Sequence, residues 1–246
     1  MNAAFQPPID SFSDDRTTTD AFAYPGVISE IGALPWGRLT QSDGIDLAWA
    51  YYFFSIQFRE NLETALALFP DDEKLRELRQ GECDTDNLSP WPDVAEKGER
   101  MHHDEFMRRL LALTPIPEEK RRLFQYMGAR YLDRVRALPD LTRAMSLASY
   151  EDGGLEQVFN AMLKAPLSAD PLSRGFRHFL SEHIRFDSDV DAGHGTLIRH
   201  LRPDDRVLPL WRDFLWLLTD FVPALREAPS ATDKPPVLEE LQDRAA

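Results

Sequence analysis

Residues 45–69, IDLAWAYYFFSIQFRENLETALALF, decide the fold class. The run is strongly apolar and far too long for a strand, and Pro70 closes it as a helix-stopping residue should. It is a long core helix. Its polar insertions Gln57, Glu60 and Glu63 lie within reach of one another at helical spacing and read as the exposed rim of a buried helix, although Glu60 could face inward. Tyr51, Tyr52, Phe53, Phe54 and Phe58 read chiefly as core packing, with a place in the wall of a substrate cavity as the alternative.

Outward from this helix, the remaining segments also carry helical signals. DDEKLRELR (71–79) is a short polar helix, followed by the loop GECDTDNLSPWP. Pro92 and Asp93 suit the first turn of a helix over 93–113, DVAEKGERMHHDEFMRRLLAL, which ends before Pro115. A further helix, with an acidic first turn and a basic body, runs to Pro139. Residues 139–163 are helical on both sides of Gly153 and Gly154, and that pair implies a kink or break beside Glu151. The last helix, 204–222, carries Trp211 and Trp216 as expected core anchors. No strand and no repeat is visible. The expectation is an all-α, bundle-like domain of about seven helices over 26–223, with an irregular arm at 1–25 and a loose tail at 224–246.

Composition narrows the function classes. The chain has 246 residues, 43% of them hydrophobic, and a formal net charge of -14. Such a charge repels phosphate backbones and anionic lipid, so neither nucleic acid nor a membrane is an expected partner. There is no long apolar span and no signal-peptide pattern at the start, which gives a cytoplasmic expectation. Cys83 is the only cysteine, so any metal must be held by His, Asp and Glu. It falls in an expected loop, poorly placed for a cavity nucleophile. Dinucleotide fingerprints, phosphate loops and nucleophile elbows are missing.

The chemistry-bearing residues cluster late in the chain. Residues 175–201, GFRHFLSEHIRFDSDVDAGHGTLIRHL, hold four of the six histidines. On a helix Asp187 and His194 would sit about 40° and about 20° around the axis from His183, so the three face one way. On the expected 93–113 helix, Glu96 and His103 are seven apart and share a face, with Glu99 on the same side. Glu151, preceded by Tyr150, adds a third carboxylate. Together these make three carboxylates and three imidazoles on three helices, a donor set of the kind used for iron or manganese.

In this arrangement the chain resembles the haem-oxygenase-like diiron oxidases and oxygenases, over roughly residues 45–222. Members carry a Glu and a His seven apart, a later Tyr-Glu, and a His-x-x-x-Asp-x-x-His helix. Glu96 and His103, Tyr150-Glu151, and His183 with Asp187 match those elements. The pattern's last histidine falls on Val190, and His194 stands one helical turn further on, with Asp191 as the alternative donor. The resemblance implies two Fe(II) ions, with Mn able to replace one or both, held by Glu96, His103, Glu151, His183, Asp187 and His194. It also implies dioxygen as co-substrate and oxidation of a small-molecule substrate such as an amino acid, amine or fatty acid. Metal-free helical enzymes of thiaminase-like or cofactor-biosynthesis type are the competing expectation, as is a non-catalytic interaction protein. An exposed helix face could pair two copies as a homodimer.

Overall fold

The computed structural model describes residues 23–83, 90–168, 170–187 and 198–226. Among these residues the protein is all-α, with nine α-helices and no strand. In chain order they are α1 (Tyr24–Ala33), α2 (Gln41–Leu68), α3 (Glu73–Gly81), α4 (His103–Ala112), α5 (Glu118–Arg136), α6 (Asp140–Glu151), α7 (Gly154–Met162), α8 (Pro171–Asp187) and α9 (Leu208–Phe221). The count exceeds seven for two reasons. Tyr24 and Pro25, expected to end an irregular arm, instead open α1, and the Gly153-Gly154 pair is a true break that separates α6 from α7. The expected arm before Ala23 and nearly all of the expected tail lie outside the described residues.

The core helix is α2. Its start is fixed by a reciprocal cap: the Thr40 hydroxyl accepts from the Asp43 N–H at 3.3 Å, and the Asp43 carboxylate accepts from the Thr40 N–H at 2.7 Å. Its 28 residues extend about 42 Å at 1.5 Å per residue. It packs against α3, α4, α5, α6, α8 and α9, which is why its buried residues lie on all sides rather than along one stripe. Among the described residues the buried hydrophobic side chains join in one cluster around it. Aromatic rings fill both flanks: Phe54 stacks on Phe214 of α9 at 4.2 Å between centroids, and Tyr51 meets Phe159, Phe176 and Phe179 of α7 and α8.

Two positions show how tightly the layers approach. Gly128 of α5 lies under Phe53, and a Cβ built there would stand 2.3 Å from the ring. On α9, Trp211 is fully buried and donates its indole N–H to the Ser149 hydroxyl at 3.0 Å. Trp216, expected as a second anchor, is 53% exposed with the Arg134 guanidinium over its ring. The reason is angular: residues five apart lie about 140° apart around a helix, so both tryptophans cannot face one core. No helix among the described residues is long and apolar enough to cross a membrane.

Gly128→Ala should destabilise the fold by about 1–3 kcal/mol through overpacking against Phe53, read as a lower urea midpoint. Gly32→Ala, where a Cβ meets nothing within 4 Å, should leave the midpoint unchanged or slightly raised.

Candidate metal centre

Beside the middle of α2 lies a small cavity of about 10 Å³. Tyr51, Phe54, Ser55 and Phe58 of α2 form one wall, and Leu155 of α7 closes another. Four ionisable side chains complete it: Glu82 just past α3, His103 at the first residue of α4, Glu151 at the last residue of α6, and His183 on α8. Three of the four sit at helix ends, so their directions are set by turns as well as by helix faces.

His183 is held by the packing of α8. Asp170 accepts from the Ser173 N–H at 3.0 Å and fixes the first turn, and Phe176, Phe179, Leu180 and His183 then share the buried face. The Nδ1 of His183 is 2.9 Å from the Phe179 carbonyl oxygen. A carbonyl only accepts, so Nδ1 carries a proton, and in the neutral ring the lone pair is then on Nε2. His103 stands in the same relation to Glu82, whose Oε2 is 3.1 Å from its Nδ1. Glu82 is 4% exposed, and the rings of His103 and His183 cross edge-to-face at 4.7 Å between centroids. Such carboxylate and carbonyl partners set the tautomer of metal-ligating histidines.

Glu96 is placed differently from the sequence expectation. Residues 93–102 are not helical, and α4 begins only at His103. The Pro-Asp pair that resembles a helix start forms a turn: the Val94 N–H bonds to the Trp91 carbonyl at 3.1 Å with Pro92 at the first corner and Asp93 at φ 63°. A second turn follows at once, from the Glu96 carbonyl to the Glu99 N–H at 3.1 Å, with Gly98 at φ 78°. Glu96 is therefore exposed and does not line the cavity. Arg109 of α4 clamps the segment down, donating to the Val94 carbonyl at 3.0 Å and to the carboxylates of Glu99 and Glu105 at 2.8 and 2.9 Å. Hydrogen bonds from Arg108, and less strongly from Arg109, pull the Glu105 carboxyl down to about 2.

Of the residues singled out from the sequence, His103, Glu151 and His183 thus meet at one cavity. Asp187 is the last residue of α8, and its side chain is outside the described set, as are Val190, Asp191 and His194 altogether. The residue that sequence reasoning missed is Glu82. A signal for it exists, because Leu75 and Leu78 face the core from α3, and seven residues past Leu75 returns to the same face.

A buried polar network braces the Glu151 end. Gln57, expected on an exposed rim, is 1% exposed, accepting from the Tyr131 hydroxyl at 2.5 Å and donating to that of Tyr150 at 3.2 Å. Asn61 donates to Ser146 at 3.0 Å and accepts from Arg143 at 3.0 Å. These bonds fix α6 against α2 up to the residue before Glu151. Burial pushes the phenols of Tyr131 and Tyr150 well above the usual tyrosine value. Folding then favours their neutral forms, a contribution that is full below about pH 10 and is lost as the pH rises through the folded values. An alkaline titration followed by tyrosinate absorbance should therefore show these two ionising only together with loss of helical circular dichroism. Their smooth ionisation in folded protein would contradict the network.

The chain matches no protein-family model, no curated protein and no solved structure. What the cavity can do rests on its own donors. Among the described residues no group of three His, Cys, Asp or Glu side chains has the spacing to hold a metal ion as placed. The donor types nevertheless fit iron or manganese: two carboxylates and two imidazoles with no thiolate in the cavity wall.

Proposed function

We propose that the protein is a non-haem, dinuclear-iron oxidase or oxygenase that uses dioxygen to oxidise a small organic molecule. The observation carrying this reading is the meeting of Glu82, His103, Glu151 and His183, from four separate segments, at one buried cavity. Glu151 and the Nε2 atoms of His103 and His183 would hold the metal, and Asp187 with His194 or Asp191 would supply the donors expected from the sequence. Manganese takes the same ligands. The bound ions would supply the electrons that reduce dioxygen.

The chain's own contribution is electrostatic and steric. Glu82 and the Phe179 carbonyl keep the two imidazoles in the tautomer whose lone pair faces away from those partners. Carboxylates offset the charge of divalent ions, and the aromatic wall of Tyr51, Phe54 and Phe58 keeps bulk water out. Glu82, and not Glu96, is the carboxylate that meets His103, as a partner on its Nδ1.

Protein purified without oxygen and supplied with ferrous iron should bind about two ions per chain, by analogy with helix-bundle diiron sites, and give a transient absorption on exposure to oxygen. His183→Ala should lose at least one ion. Glu82→Gln should weaken binding by about 10- to 100-fold, as removal of a partner behind a ligand does, whereas Glu96→Gln should bind as the parent does. A folded parent chain that takes up no iron overturns the reading.

A further inference from the structure

A groove of about 690 Å³ opens next to the buried cavity, within the size range of small-molecule sites. Among the described residues its wall contains three guanidiniums, Arg76, Arg79 and Arg100, against one carboxylate, that of Glu63. Glu63 is engaged by Arg79 at 2.9 Å. Arg100 is anchored on the Gln80 carbonyl at 3.2 Å, and Arg76 on the Pro70 carbonyl at 2.6 Å, with Glu73 no nearer than 4.0 Å. Backbone carbonyls orient a guanidinium without cancelling its charge, so the groove is locally cationic on a chain whose net charge is -14. Leu66 and Met101 give the same wall an apolar portion.

The groove and the cavity share one thin partition. Glu82 faces the cavity and Cys83 the groove, and likewise His103 faces the cavity and His102 the groove. Across the partition the pairs repeat: Glu82 to His103 at 3.1 Å inside, and Cys83 Sγ to His102 Nδ1 at 3.1 Å outside. A backbone bond from the Met101 N–H to the Cys83 carbonyl at 3.3 Å holds the two segments of the partition together. Between them a second small void touches His102, His103 and Glu82.

The geometry points to this groove as a binding site for an amphiphilic organic anion, its charged end on Arg76 and Arg100 and its apolar part on Leu66 and Met101. That the groove delivers this molecule to the buried cavity as substrate rests on the function proposed above; the anion preference itself does not.

Cys83 reports on the groove, being the only cysteine of the chain and partly exposed in its wall. Metal-free full-length protein is alkylated with iodoacetate and with iodoacetamide, and the ratio of the two rates is compared with that of the same chain in urea. Both reagents react with the same thiolate, so the ratio cancels the thiol's own acidity and reads the local field. Folded protein should favour iodoacetate at least about threefold over the unfolded chain, the direction of cationic focusing. The preference should vanish in Arg76→Gln/Arg100→Gln protein with an unchanged melting temperature. Octanoate should slow iodoacetamide labelling of the parent but not of the double variant, and octylammonium should slow neither. A ratio equal to or below that of the unfolded chain, a preference that survives loss of both arginines, or equal protection by octanoate and octylammonium overturns the proposal. Because no iron is present, failure here leaves iron uptake untouched, and failure of iron uptake leaves this measurement interpretable.

Discussion

The burial of α2 on all sides is the constraint from which the rest of the architecture follows. Between Gly44 and Leu62 α2 has no exposed residue, so its buried polar side chains there must look to neighbouring helices for partners, and an unsatisfied buried group costs about 1–3 kcal/mol. Gln57 and Asn61 meet that demand by reaching across to α5 and α6, and in doing so they fix the crossing of those helices. The demand also explains the small and flat residues opposite α2. Gly128 gives way to Phe53, and the rings of α7, α8 and α9 interlock with Tyr51 and Phe54. Polar satisfaction and close packing thus act on the same helix, and the cavity lies where the aromatic wall stops and ionisable groups begin.

Helix identity was legible because caps and prolines are local signals. Pro70 and Pro139 bound the helices they were expected to bound, and the Gly153-Gly154 pair marks a real break at Glu151. The misreadings came from signals with two meanings or from non-local partners. Pro92-Asp93 is equally good grammar for a turn, and the paired Trp91–Ala95 backbone bonds, with the clamp from Arg109 fifteen residues past Val94, hold the turn. Gln57 looks solvated because its partners, Tyr131 and Tyr150, are 74 and 93 residues away. Trp216 is apolar by type, yet helical rotation places it outside.

The same distinction governs the ionisable residues. Spacing on a helix face singled out His183, and α8 is regular through that position. Spacing failed for the carboxylate beside His103, because the two residues belong to different segments joined by turns, and the face argument assumed one continuous helix. Glu151 was flagged by the glycines after it rather than by any face. Residues at helix ends escape periodicity, and three of the cavity's four ionisable residues sit at helix ends.

The partition between groove and cavity is two dipeptides, each presenting one side chain inward and the next outward. Its logic is parity. Inserting or deleting one residue at either dipeptide would exchange the inward and outward side chains, putting Cys83 where Glu82 is or His102 where His103 is. Across homologous chains, length variation within either dipeptide is therefore incompatible with this architecture. The registers of Glu82-Cys83 and His102-His103, and of the Met101 whose N–H ties them together, are where such change should be absent.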